Sequence, residues 1–340
     1  MRVLMLSWEY PPHIVGGLGR HVTELVPALA RQGVEVEVVT PRWAGGEARE
    51  ASPSGAVIHR VDPPDVGLAD IFTSAWQTNT RLAEFAAPLV RPDPAGSSSR
   101  CRADILHAHD WLVSFAAVAL KTNFHIPLLA TIHATERGRG HGYLGSDMSR
   151  AIHNAEWWLT FEAWRVICCS GYMASEVMGF FHVPPDKLDV IPNGVDTSVF
   201  DALDEEDLSY FRTMYALPDE RIVFYVGRVV HEKGLHILVE AVPKVLSEHP
   251  EAKFVIAGTG GMLEALRRRA WELGVGPKVL FTGYIPDEAR NRLYKVADVA
   301  VFPSLYEPFG IVALEAMAAR TPVVASDVGG LHEVVKHGET

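Results

Sequence analysis

Cysteine is scarce: Cys101, Cys168 and Cys169 are all the chain has in 340 residues. Three thiols without metal-ligand spacing build neither a disulfide framework nor a structural zinc site, and such usage fits a reducing compartment. Long apolar runs are missing as well. No stretch approaches the roughly 20 apolar residues of a membrane span, and the apolar run at the N-terminus is broken by Glu9, without the h-region and cleavage site of a signal peptide. The expected location is the cytoplasm. Positive charge is in deficit, with 31 Lys and Arg against 42 Asp and Glu and a net charge of −11. A surface of that sign repels phosphate backbones and anionic lipid, which speaks against nucleic acid and stable membrane association. Any anion the chain binds has to be held by a local cluster of cations and backbone amides.

What the chain has in quantity is alternation. At 48% hydrophobic and 21% charged it is of ordinary globular composition, and 340 residues suit two domains. Short apolar runs alternate with amphipathic segments, the pattern of strand-helix units around parallel sheets, so the fold class is α/β. Strands are predicted over Arg2 to Leu6, Glu35 to Thr40, Val57 to Val61, Ile105 to Ala108, Leu128 to Ile132 and Val166 to Cys169. A second series follows at Ile222 to Val226, Phe254 to Ala257, Val279 to Thr282, Val299 to Phe302 and Val323 to Ala325. Two doubly wound domains result, 1–196 and 197–340, divided near the turn-forming Ile191-Pro-Asn-Gly-Val-Asp196, with an acidic surface stretch from Asp201 to Asp207. Pro41 to Gly55 and Arg91 to Arg102 read as mobile surface.

Five segments have the composition of sites. The loop Tyr10 to Gly19 contains Gly16, Gly17 and Gly19 between the first strand and a helix over Arg20 to Arg31; it suits close approach to a ligand, or a plain tight turn. His107-Ala-His109-Asp110-Trp111 ends a strand whose alternation puts both histidines on one face, and His133 ends the next strand in the same way. A pocket edge and hydrogen-bonded core histidines fit equally. A metal site fits poorly, because one strand cannot complete it and no ligand cluster stands nearby in sequence. Gly227-Arg228 and Lys233-Gly234 run from a buried strand into a helix start, a combination of cations and free amides that suits a diphosphate better than an idle solvated loop. Gly258-Thr-Gly-Gly261 repeats a glycine turn after the following strand. Finally, Glu307 precedes a helix beginning near Gly310, and Glu315 lies within that helix among Val312, Ala313, Leu314 and Met317. Inside such surroundings Glu315 needs a hydrogen-bond partner, which paired ribose hydroxyls would supply; on the solvent face it needs none.

With Gly-Arg228-x4-Lys233-Gly and Glu307-x7-Glu315 in one half, and a Gly-Gly loop and His-Ala-His-Asp-Trp in the other, the whole chain resembles the retaining glycosyltransferases of family 4, most of all the glycogen-synthase-like members. The resemblance implies a GT-B fold, two Rossmann-like domains facing across a cleft, with acceptor on the N-terminal side and nucleotide sugar on the C-terminal side. It implies catalytic roles for His133, Arg228, Lys233 and Glu307: the two cations on the diphosphate, Glu307 on a hydroxyl of the transferring sugar, His133 beside the reacting centre. Gly17, Gly227, Gly258, Gly310, Ile311, Val312 and Glu315 would bind the donor, with Glu315 on the ribose, while Gly16, His109 and Asp110 would line the acceptor or sugar pocket. ADP-glucose or UDP-glucose is the implied donor and an α-glucan or oligosaccharide the acceptor, with no cofactor and no metal. Val15 stands where starch and bacterial glycogen synthases of the neighbouring family carry Lys, and no Asp-x-Asp triplet occurs to anchor a divalent ion. Family members continue beyond the equivalent of Thr340, so the C-terminal domain reads as truncated. Trp8, Trp111, Trp157 and Trp158 offer aromatic faces for sugar stacking, the last two also suiting helix packing. A non-catalytic sugar- or nucleotide-binding module and a transferase acting on a lipid or small molecule are the competing readings. A dinucleotide oxidoreductase lacks the G-x-G-x-x-G fingerprint.

Overall fold

The computed structural model describes residues 1–65, 67, 69–90 and 103–340. The chain divides into two compact units, Met1–Pro192 and Asn193–Thr340.

The first unit carries β1 (Arg2–Leu6), β2 (Glu35–Pro41), β3 (Arg49–Ala51), β4 (Val57–Val61), β5 (Ile105–His109), β6 (Leu128–Ile132), β7 (Arg165–Cys168) and β8 (Leu188–Val190). They form one sheet in the order β3-β4-β2-β1-β5-β6-β7-β8. Only the β3–β4 pairing is antiparallel. Helices between consecutive parallel strands cover both faces, which is why Val3–Leu6 of β1 are buried without alternation.

The second unit carries β9 (Arg221–Val226), β10 (Ala252–Ala257), β11 (Val279–Gly283), β12 (Val299–Phe302) and β13 (Val323–Ala325), all parallel, in the order β11-β10-β9-β12-β13. Phe224, Phe254, Ile256 and Phe302 from the strands pack with Leu235, Val239 and Tyr294 from the helices as its core. In each sheet the chain winds outward in one direction, then returns to the middle and winds the other way. The reversal falls between β1 and β5 in the first unit and between β9 and β12 in the second. Ligands of open α/β sheets bind at the carboxyl ends of the strands flanking such a reversal.

Several expectations need correction. The first helix begins at Gly17, not Arg20, so Gly17 and Gly19 are helical. Pro41 to Gly55 contains β3, whose residues are all exposed and therefore leave no apolar signature. Arg91 to Arg102 lies outside the described residues. The acidic stretch does lie on the surface as expected, with Asp201 closing a short helix, Ser198–Asp201, and Asp204 pairing with Lys295 and Arg320 of its own unit. Trp8 and Trp111 are buried in the core. Trp158 packs on Phe115, whereas Trp157 is exposed and stacks on Phe161. Among the described residues no helix is long and apolar enough to cross a membrane.

Candidate active site

At the reversal in the first unit, β1 delivers the chain into the loop that ends at Gly16. Glu9, buried and overlooked in the sequence, organises this loop: its Oε2 accepts hydrogen bonds from the amides of Val15 at 2.8 Å and Gly16 at 3.0 Å. A Cβ on Gly19 would stand 2.7 Å from the same oxygen, so the helix can lie this close only because residue 19 is glycine. Gly16 caps the helix in extended conformation, and Gly17 opens it, where the first amides have no intrahelical acceptor.

The neighbouring strand ends at His109, followed by Asp110 at φ +62°, an uncommon conformation for a residue with a side chain. Asp110 is held there by accepting the His133 backbone N–H at 2.8 Å, a bond that ties the end of β5 to that of β6. His109 Nδ1 and His133 Nε2 share a hydrogen bond of 3.0 Å. His107 Nε2 bonds Thr131 Oγ1 at 2.7 Å, and its ring lies 4.2 Å from that of His109, which places both histidines on one face as the alternation required. His21, from the first helix, packs its ring 4.8 Å from His133 and 5.4 Å from His109. One strand does not supply this cluster by itself: the first helix and the ends of β5 and β6 meet here.

Burial governs the charge of this cluster. It pushes His107 down to about 3, with His21 adding to the effect. His109 and His133 are held well below the usual imidazole range, first by burial and then by their histidine neighbours. All three rings are neutral at pH 7. Burial also pushes Asp110 up to about 7, opposed by the His133 amide it accepts.

At the reversal in the second unit, β9 ends in Gly227 and Arg228 and β12 leads to Glu307. Two glycines allow the loops to touch. Gly258 has φ +136° and a Cβ there would fall 1.8 Å from the Gly227 carbonyl; Gly234 has φ +67° and a Cβ would fall 1.8 Å from the Pro303 carbonyl. Neither position admits a side chain, so the loops after β9, β10 and β12 converge. Lys233 Nζ consequently reaches Glu307 Oε2 at 2.6 Å, with Ser304 Oγ donating to the same oxygen at 3.3 Å. Arg228 Nη2 donates to Glu232 Oε1 at 2.8 Å. Gly310, at φ +102°, caps the helix Ile311–Ala318, whose leading amides at Ile311 and Val312 lie beyond the reach of intrahelical acceptors.

Glu315 is buried in that helix, not on a solvent face. Its partners are protein groups the sequence did not flag: Tyr294 donates to Oε2 at 3.1 Å, and Arg290 Nη2 pairs with Oε1 at 3.4 Å. The expected site residues thus form two groups, Gly16, Gly17, His109, Asp110 and His133 in one unit and Gly227, Arg228, Lys233, Gly258, Glu307, Gly310, Ile311, Val312 and Glu315 in the other. Glu9, His21, Arg290 and Tyr294 were missed. His21, Arg290 and Tyr294 act through partners distant in sequence, and Glu9 acts through nearby backbone amides that any sequence provides, so local composition carries no mark of these roles.

Comparison with known proteins places this geometry. The profile described as Glycosyltransferase Family 4 matches residues 15–199, and that of Glycosyl transferases group 1 matches residues 212–340. The chain belongs to glycosyltransferase family 4. It is 41% identical over 339 residues to the uncharacterized glycosyltransferase MJ1607 of Methanocaldococcus jannaschii, covering 99% of this chain and 83% of that protein. It is 38% identical over 347 residues to a glycogen synthase of Mycobacterium tuberculosis, covering 100% of this chain and 81% of that protein. Among solved structures, a sucrose-phosphate synthase from Thermosynechococcus elongatus superimposes with a TM-score of 0.80 at 24% identity, over 100% of this chain and 84% of that one. The fold is GT-B, as the resemblance implied, and the chain is a glycogen-synthase-like glycosyltransferase of that family.

Proposed function

We propose that this family 4 enzyme is a retaining, metal-independent hexosyltransferase that moves a glucosyl group from ADP-glucose or UDP-glucose to an α-glucan or oligosaccharide. The observation that carries the reading is the Lys233–Glu307 pair at 2.6 Å, set beside Arg228 at the β9–β12 reversal. In this reading Lys233 and Arg228 turn from their carboxylate partners to the donor diphosphate, and Glu307 accepts a hydroxyl of the transferring sugar. The leading amides of Ile311–Ala318 add positive potential. Glu315, oriented by Arg290 and Tyr294, receives the ribose hydroxyls, and Gly227 and Gly258 let the nucleotide approach the backbone.

Breaking the bond from the anomeric carbon to the phosphate oxygen leaves negative charge on the diphosphate. Fixed cations aimed where that charge develops lower the barrier. The acceptor hydroxyl attacks from the face the diphosphate leaves, its oxygen forms the new bond to the anomeric carbon, and its proton passes to the departing phosphate oxygen. Configuration is retained without a covalent enzyme intermediate. The first unit, in the proposed division, receives the acceptor at Gly16, His109 and Asp110, and neutral His133 exchanges a hydrogen bond with the sugar; the second unit binds the donor. Two cations and a helix terminus supply what a divalent ion supplies elsewhere, and the sequence has no Asp-x-Asp triplet. The likeness to a glycogen synthase supports the glucan acceptor.

The test is transfer from labelled ADP-glucose and UDP-glucose to glycogen, maltooligosaccharides or liposomes, with and without EDTA. Label in glucan with α linkage by NMR, unaffected by chelator, is expected. Activity abolished by EDTA and restored by magnesium or manganese, an inverted product, or label in lipid alone would each overturn the corresponding part of the reading.

A further inference from the structure

His21, His109 and His133 each offer one ring nitrogen such that the three lie within 4.8 Å of one another. They come from the first helix and from the ends of β5 and β6, so the sheet and its covering helix hold the three rings. We propose that these three histidines form a binding site for a divalent transition ion, zinc foremost, with its remaining coordination positions open to water.

Geometry favours it. Two imidazole nitrogens on one tetrahedral zinc, bound at about 2.05 Å, stand roughly 3.3 Å apart. His109 Nδ1 and His133 Nε2 are 3.0 Å apart, so two ligands already sit close to that separation. His21 completes the set by an inward movement of at most about 1.5 Å, the difference between the 4.8 Å limit and the tetrahedral spacing. The tautomer of His109 is not fixed from its other side, since its buried Nε2 has no hydrogen-bond partner among the described residues. If Nδ1 ligates the ion, the ring's one proton resides on Nε2, so at His109 itself coordination requires a change of tautomer and no movement of the ring.

The donor set selects the ion. Three imidazoles suit zinc, copper, nickel and cobalt, whereas magnesium and calcium take oxygen ligands. This site is therefore different in kind from a magnesium anchor for a diphosphate, and it lies in the first unit, whereas Arg228 and Lys233 belong to the second. One consequence rests on the proposed contact of His133 with the sugar: an ion that takes His133 as ligand removes that contact, so zinc is expected to inhibit transfer.

The probe is cobalt chloride added to the full chain after EDTA treatment and dialysis. One cobalt per chain is expected, with the visible absorption of a four-coordinate ion, no thiolate charge-transfer band from Cys168 or Cys169, and displacement by zinc. His21→Ala and His109→Ala should each abolish the band. X-ray absorption on the wild-type zinc complex counts the imidazole ligands directly, so the outcome does not depend on either variant folding. Absence of a cobalt band in the wild type, a band that survives both substitutions, or a zinc shell with fewer than three imidazoles overturns the site. Zinc bound through three imidazoles without inhibition leaves the site standing and counts against the sugar role of His133.

Discussion

Lys233 and Glu307 stand 74 positions apart in the chain and 2.6 Å apart in the fold. Each limits the conformations of the other before any ligand arrives, a pre-organisation that keeps a cation and a carboxylate at the strand ends where donor chemistry is proposed. Arg228 is held by Glu232, four residues further along the chain, and remains partly exposed. In the proposed diphosphate role, removing either cation would take away charge stabilisation that matters most in the transition state, an effect typically worth about 10²–10³ in rate. Arg228→Ala and Lys233→Ala are each expected to lower kcat by about that factor, with unchanged far-ultraviolet circular dichroism. Near-normal turnover in both would remove the diphosphate assignment. Glu315 teaches a related point: its need for a partner was legible from its apolar neighbours, yet Arg290 and Tyr294 meet that need, so ribose would add to an existing network.

At the level of elements, the converging loops after β9, β10 and β12 depend on glycines for contact rather than for flexibility. Gly258 and Gly261 lie three residues apart and differ sharply. A Cβ at Gly258 would collide with the Gly227 carbonyl at a φ of +136°, while a Cβ at Gly261 meets nothing within 4 Å. Gly258→Ala should therefore destabilise the second unit by about 1–3 kcal/mol or more, through backbone strain and displacement of the β9 loop. Gly261→Ala should be close to neutral. Thermal melting of the two variants side by side checks this, and equal midpoints would contradict the packing described. In the first unit the carboxylate of Glu9 plays the corresponding part, clamping the amides of Val15 and Gly16. A buried glutamate in a short apolar run is legible as unusual; its role as a loop clamp is not, because its acceptors' partners are backbone amides that any sequence provides.

For the molecule as a whole, the buried histidines make stability depend on pH, and the sign follows from proton counts. His13, His107, His109, His133 and His153 are all depressed in the folded first unit, chiefly by burial. Below their ordinary value of 6.5 the unfolded chain binds more protons than the native unit, so stability falls as pH falls. Asp110, pushed up to about 7, and Glu156, held well above the usual range, both by burial, act in the opposite sense. They retain protons in the fold, and their contribution declines as pH rises through those values. Five groups against two make acid destabilisation prevail below 6.5, while of these seven only the carboxyls titrate above it. The first unit should be most stable near neutrality and should melt at progressively lower temperature between pH 6.5 and 4.5. Scanning calorimetry across that range checks the expectation, and a midpoint that rises on acidification would contradict it.

The parallel α/β architecture was legible because buried strands and amphipathic helices leave different periodicities, and the strands with apolar interiors were found to within a residue or two. β3 and β8 were not, since three residues at a sheet edge bury too little to leave a pattern. The first helix starts earlier than expected because glycines at 16, 17 and 19 read as loop, whereas Gly17 and Gly19 lie in the helix that Gly16 caps and Glu9 packs against. The residue types at the strand ends, with Arg228, Lys233, Glu307 and Glu315 in order, determined the family. Only the tertiary structure decided which of those residues touch, which reversal of strand order each group occupies, and that His21 joins His109 and His133. Those outcomes depend on strand order and on carbonyl-to-glycine contacts across the sheets, distances through space that periodicity along a chain does not encode.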